Sequence, residues 1–149
     1  MSARFFLDTN IFVYPFDASA PGKSKKAAQL IRRAVDTGEG IVSYQVVQEF
    51  FNVALRRFAQ PMSVAEAEQY LMSVFRPLLS VYPSPALYFE ALRITGKHRL
   101  GWYDSLIVAA AREANCDTLY SEDLQHGREL DGLQIVNPFA ESSSTRTSP

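Results

Sequence analysis

The pattern of the chain predicts an α/β fold with a mostly parallel sheet covered on both faces by helices. Short apolar runs alternate with segments of helical periodicity along the whole sequence. Turn and capping residues fall at the junctions, and one helical stretch is apolar on every side, as expected of a helix buried against a sheet.

The first strand is read at Arg4, Phe5, Phe6 and Leu7, a run that stops at Asp8-Thr9-Asn10 and so predicts a buried strand ending in a polar loop. After the Pro15 to Gly22 region, Ala27, Ala28, Leu30, Ile31, Ala34 and Val35 recur at helical spacing, and Gly38 is placed to end that helix. Gly40-Ile41-Val42 reads as a second buried strand. Ser43 follows as N-cap of a helix carrying Val46, Val47, Phe50, Phe51, Ala54 and Leu55. Ser63 with Glu66 three residues on is a capping-box pattern, and the helix it opens is expected to stop near Phe75, before Pro77. Leu78, Leu79, Val81 and Tyr82 predict a third strand, and Ser84-Pro85 supplies an N-cap and a first-turn proline for a helix to about His98. Gly101 precedes the run Leu106 to Ala111, apolar all round and therefore buried. Thr118-Leu119-Tyr120 and Gln134-Ile135-Val136 complete the strands, the former leading into Ser121-Glu122-Asp123. Residues 1–139 are read as one domain and 140–149 as a polar tail without periodicity, expected to fray.

Composition excludes several classes. A chain of 149 residues, 47% hydrophobic and 21% charged, lies outside the ranges of disordered, collagenous and disulfide-scaffold sequences. The single cysteine, Cys116, cannot form an internal disulfide, and the first residues lack a secretory pattern, so a cytoplasmic location is expected. No run approaches the roughly 20 apolar residues of a membrane-spanning helix. A net charge of −1 gives no overall basic field. Attraction to a nucleic acid then has to be local, from Lys23, Lys25, Lys26, Arg32 and Arg33, from Arg56 and Arg57, or from Arg93, Lys97 and Arg99.

Sheets of this type place ligands beyond the carboxyl ends of their strands, where Asp8 and Asp123 fall. Glu49 lies at the border of the apolar arc of Val46, Phe50, Val53 and Ala54 and can turn inward. Asp104 shares a helical face with Ile107, Val108 and Ala111, although an acid in a first helical turn also gains from the positive end of the dipole. Taken singly, each acid has an ordinary role in a turn, a cap or a solvated helix border. Sent together to one edge, the four repel unless a cation joins them. All-oxygen ligands favour Mg²⁺ or Mn²⁺, and the two histidines and one cysteine show no zinc-type spacing. One or two such ions provide what phosphodiester hydrolysis requires. No Ser–His–Asp set or glycine-rich phosphate loop supports a rival chemistry.

Leu7-Asp8-Thr9-Asn10, Gln48-Glu49-Phe50, Trp102-Tyr103-Asp104-Ser105-Leu106-Ile107 and Leu119-Tyr120-Ser121-Glu122-Asp123-Leu124 together resemble the PIN-domain family in order and spacing. The resemblance runs from about Phe5 to Phe139 and is strongest to the VapC-like toxins of toxin–antitoxin pairs. It implies a three-layer α/β/α sandwich, Mg²⁺- or Mn²⁺-dependent endoribonuclease activity, a homodimer and a small antitoxin partner. Asp8 and Asp104 would be principal metal ligands, Glu49 a ligand directly or through water, and Asp123 a ligand or a supporting acid. Thr9 and Ser121 would orient carboxylates or bound water, and Asn10 also matches a family position. Glu122 offers a second carboxylate beside Asp123, and the family's register, two residues after a small hydroxylated residue, favours Asp123. Phe12, Tyr14, Phe16, Trp102 and Tyr103 lie near the cleft. Tyr14 and Trp102, with Lys25 and Lys26, are the candidates for substrate contact, and at most one or two aromatics are expected to touch RNA.

Two other readings compete. One is a non-catalytic RNA-binding or interaction domain on the same fold, which has little reason to keep four mutually repelling acids. The other is a haloacid-dehalogenase-like phosphatase with Asp8 as nucleophile, which would need a second aspartate where Asn10 stands.

Overall fold

The computed structural model describes residues 3–140, so the polar tail from Glu141 to Pro149 lies outside the described residues. Of the 140–149 stretch only Ala140 is described, its N–H bonded to the Asn137 carbonyl. The fold is α/β, a six-stranded sheet flanked by helices. Its strands are β1 (Phe5–Leu7), β2 (Gly40–Ser43), β3 (Leu79–Val81), β4 (Thr118–Tyr120), β5 (Glu129–Leu130) and β6 (Leu133–Val136), ordered β3-β2-β1-β4-β6-β5. All pairings are parallel except β5 with β6. Every residue of β1 and β2 is buried, and successive side chains point to opposite faces, so both faces of the sheet centre are covered.

The helices are α1 (Thr9–Val13), α2 (Pro21–Thr37), α3 (Tyr44–Ala54), α4 (Val64–Tyr70), α5 (Arg76–Leu78), α6 (Pro85–His98) and α7 (Trp102–Glu113). From β1 to β3 the chain steps outward in one direction, and from β3 it returns across the sheet to β4. Right-handed crossovers therefore put α1, α2 and α3 on one face and α6 with α7 on the other. The contacts of α1 with α2 and α3, and of α6 with α7, agree with that division.

Most boundaries follow local chemistry. Gly38 caps α2 at φ 71°, a left-handed conformation open to glycine. The Ser63–Glu66 capping box forms in both directions, and the Ser84 hydroxyl accepts the Leu87 N–H at 3.1 Å. Ser43 stands at the N-cap position of α3, but its hydroxyl makes no capping bond and is buried without a protein partner. Gly40 has a packing role: a methyl group there would lie 2.2 Å from the Cβ of Ala34 on α2.

Three expectations need correction. Asp8-Thr9-Asn10 is not a loop, because α1 starts directly at Thr9 with Asp8 as its N-cap. The helix opened at Ser63 does not stop before Pro77: a π-helical turn, Leu71–Phe75, leads into α5, which contains the proline. Proline lacks an N–H and its ring crowds the carbonyl four residues back, and the widened turn gives room for both. The edge strand β5 was not anticipated; its two residues pair with β6 across Asp131-Gly132, both at positive φ as a tight hairpin demands.

At the strands' N-terminal edge, Asp131 accepts from Lys97, Arg93 and His98, while Glu90 accepts from Arg93 and Arg112. This ionic cluster ties the ends of α6 and α7 to the β5–β6 turn.

Candidate active site

The opposite edge of the sheet carries a pocket of about 240 Å³ lined by Asp8, Glu49, Asp104 and Asp123 together with Thr9, Asn10, Gln45 and Tyr103. Each acid arrives from a different part of the fold: Asp8 from the end of β1, Glu49 from α3 on one face, Asp104 from the first turn of α7 on the other, and Asp123 from the segment after β4. The Asp8 N–H bonds the Tyr120 carbonyl at 3.0 Å, extending the β1–β4 ladder one step and fixing the direction in which its side chain leaves the sheet.

Hydrogen bonds orient three of the four. Asp8, buried, accepts the Thr9 N–H at 2.7 Å through Oδ1 and the Ser121 hydroxyl at 2.8 Å through Oδ2. Glu49 accepts from the Thr9 hydroxyl at 2.6 Å and from the Gln45 amide at 3.2 Å; the same amide reaches the Tyr103 carbonyl at 3.3 Å. Both Asp123 oxygens lie 3.3 Å from the Asn10 amide nitrogen. Ser121 accepts the Asp123 N–H at 3.2 Å while donating to Asp8, so one hydroxyl locks two acid-bearing segments together.

None of these four acids forms an ion pair with lysine, arginine or histidine among the described residues. Burial pushes Asp8 up to about 6; the bonds from Ser121 and Thr9 offset part of that rise, and the charges of Asp123 and Glu49 add to it. Asp104 is raised by burial and by Asp123 and Glu49, and Asp123 by burial and by Glu122 and Glu49. Burial is the largest cause of all three rises, and like charges gathered without a counterion add to it. Among the described residues, the acids ring the pocket without three of them closing to the mutual spacing of ligands on one ion.

Glu122 is the exception. Burial would raise it, but bonds from Lys23 and Tyr14 outweigh that and hold its carboxyl below the ordinary glutamate range. Of the two neighbouring acids, Asp123 lines the pocket and Glu122 does not. The Tyr14 ring rests edge-on against Phe139 and its hydroxyl donates to Glu122. Trp102 is partly exposed and stacks on Tyr88, and Lys25 and Lys26 are exposed on α2.

One polar residue of the pocket, Gln45, has no signal of its own in the sequence. Gln45 sits one helical turn before Glu49, a spacing that signals a shared face. Its burial against Tyr103 depends on α7, which no local pattern announces. Of the aromatics expected near the cleft, Tyr103 lines the pocket, 66% exposed.

The model of the PIN domain matches residues 5–129. The chain belongs to the PIN-domain family. Solved structures share its PIN fold at low identity. A toxin–antitoxin complex from Klebsiella pneumoniae is 16% identical, with a TM-score of 0.65 over 90% of this chain and 97% of that one. VapC20 of Mycobacterium tuberculosis, described as a toxin that cleaves the sarcin–ricin loop, is 20% identical, with a TM-score of 0.61 over 80% and 89%. VapBC2 of Rickettsia felis, bound to a DNA fragment from its promoter, is 18% identical, with a TM-score of 0.56 over 88% and 96%. Comparison with curated proteins gave no match. No helix among the described residues of this PIN protein is long and apolar enough to cross a membrane.

Proposed function

We propose that residues 1–139 form a single nuclease domain, a Mg²⁺- or Mn²⁺-dependent endoribonuclease that acts in the cytoplasm as the toxin of a toxin–antitoxin pair. The observation that carries this reading is the arrival of four carboxylates, from both helical layers and two strand ends, around one pocket that offers them no protein cation among the described residues. The donor set suits a hard divalent ion: it is all oxygen, and Asp8, Asp104 and Asp123 are raised by burial and by the charges of neighbouring acids, a strain a bound cation would relieve.

Asp8, Asp104, Glu49 and Asp123 would hold one or two ions. When bound, the metal supplies an acidified water and charge neutralisation at the phosphate. The remaining work belongs to the chain. Ser121 and the Thr9 N–H fix the Asp8 carboxylate, the Thr9 hydroxyl and Gln45 fix Glu49, and Asn10 steers Asp123. Tyr103, exposed at the pocket wall, is placed to stack on an unpaired base, with Trp102 beside it. Lys25 and Lys26, exposed on α2, are candidate contacts for phosphates farther along the strand.

The antitoxin partner is supported by the toxin–antitoxin complexes among the similar folds. A homodimer is supported by the exposed row Tyr82, Tyr88, Phe89 and Leu92 on α6 and just before it, which Trp102 continues. Phe89→Glu should then yield a monomer by light scattering. Asn10, whose amide faces Asp123, weakens the phosphatase alternative further, since a second acid is needed there.

Calorimetric titration with Mn²⁺, alongside cleavage of a mixed cellular RNA pool with and without EDTA, tests the reading. Carboxylate-dependent Mn²⁺ uptake and EDTA-sensitive cleavage are expected. Cleavage undiminished by EDTA, or Mn²⁺ uptake unchanged in Asp104→Asn, would sink it.

A further inference from the structure

We propose that Tyr14 and Lys23 are positioning residues which hold Glu122 out of the carboxylate pocket, so that of two adjacent acids only Asp123 serves it. The inference rests on the metal-binding reading of that pocket. Ser121 pins the backbone at this point through its bonds to Asp8 and to the Asp123 N–H, which leaves two consecutive carboxylates on a short segment beside a pocket already lined by three others. With Asp123 the pocket is lined by four acids, and a fifth swung into it would add another ligand and another negative charge to the site.

The clamp occupies both oxygens of Glu122. Oε1 accepts from the Tyr14 hydroxyl and Oε2 from the Lys23 ammonium, whose nitrogen is also 3.3 Å from the Tyr14 oxygen. Lys23 lies over the Tyr14 ring, 5.0 Å from its centroid, and 5.7 Å from that of Phe139. The Tyr14 and Phe139 rings are 4.9 Å apart. Two groups from separate segments, braced by Phe139, therefore hold an acid that does not line the pocket, and the cation here pairs with Glu122 rather than with its neighbours.

Asn10 and Tyr14 stand one helical turn apart, at the start and just past the end of α1. The first reaches Asp123 and the second reaches Glu122. One short helix thus receives both acids and parts them. Lys23, from the first turn of α2, adds the charge that makes the outward position of Glu122 favourable.

The test uses the full chain and Mn²⁺ alone, read by calorimetry and by the Mn²⁺ electron paramagnetic resonance spectrum. The double variant Tyr14→Phe with Lys23→Met should bind Mn²⁺ at least about five-fold tighter, because a freed carboxylate joins the site, and should show an altered spectrum. Adding Glu122→Gln should return both readouts to wild type, while Glu122→Gln alone should stay within about two-fold. Lys23→Met by itself, at a partly exposed helix position, provides the same comparison should the double variant fold poorly. Unchanged or weaker binding in the clamp variants, or a change that Glu122→Gln does not reverse, would overturn the positioning role. No Mn²⁺ uptake by the wild type would overturn the metal reading and the clamp's role with it, a different result from uptake indifferent to the clamp.

Discussion

At the N-terminal edge of the strands, Arg93 and then Arg112 hold Glu90 down to about 2, and Lys97, His98 and Arg93 hold Asp131 well below the ordinary carboxylate range. At the C-terminal edge of the same sheet, burial and neighbouring acids push Asp8 up to about 6, and Asp104 and Asp123 shift the same way. Among the described residues, the cations at the first edge pair with its acids, whereas the one ion pair beside the pocket, Lys23 with Glu122, leaves the four pocket acids without a cation. Fold stability explains the first cluster, which staples two helix ends to a hairpin. The second gathers acids without cations, an arrangement costly to the metal-free fold that the proposed binding of a cation would explain.

The sharpest way to break this contrast is at the unpaired edge. Asp8→Asn or Asp104→Asn should lower RNA cleavage by about 10³-fold with the fold retained, the several kcal/mol that a metal site contributes to a phosphoryl transition state. Near-normal turnover in an RNA cleavage assay would show that the acids at this edge are not working groups.

Next in size is the pH dependence of metal-free stability. The folded pKa of Asp8 lies above its unfolded value. Its neutral form therefore supports the fold below about pH 4, and that support is lost as pH rises through about 6. The shift corresponds to about 3 kcal/mol at neutral pH. Metal-free Asp8→Asn should then be more stable than wild type near neutrality, and the advantage should vanish below about pH 4. Denaturation curves that are parallel across this range would contradict the buried, unpaired acid.

Mn²⁺ at about 100 times its dissociation constant should stabilise the wild type by about 2.7 kcal/mol, with no such gain in Asp8→Asn or Asp104→Asn. Thermal melts with and without EDTA measure it. At the paired edge the effect should be smaller. Asp131→Asn should cost about 1 kcal/mol in urea denaturation, because its partners are largely solvated, and should leave Mn²⁺ affinity unchanged.

Much of the pocket was readable in the sequence because its acids interrupt apolar patterns. Asp8 stops a strand run, and Asp104 opens a helix that is apolar on every side. Such residues stand out against a period set by burial. The capping pairs at Ser63 and Ser84 were legible for a related reason, being local chemistry complete within three or four residues. What stayed hidden depends on distant contact. Gln45 looks like any helix amide until α7 covers it, and the bond between Tyr14 and Glu122 spans 108 positions. The edge strand β5 has two residues, too few to show a period. Pro77 read as a stop because the widened turn that admits it has no signature in composition.

The close seat of Gly40 under Ala34 makes α2 a lever with its fulcrum near one end. Lys23 rides the opposite arm, eleven residues away along the helix, or about 16 Å at the helical rise. A side chain added at Gly40 must pry the helix off the sheet, and the tilt is magnified where the ammonium meets its partner. A remote substitution that touches no acid can in this way detune the pocket mechanically.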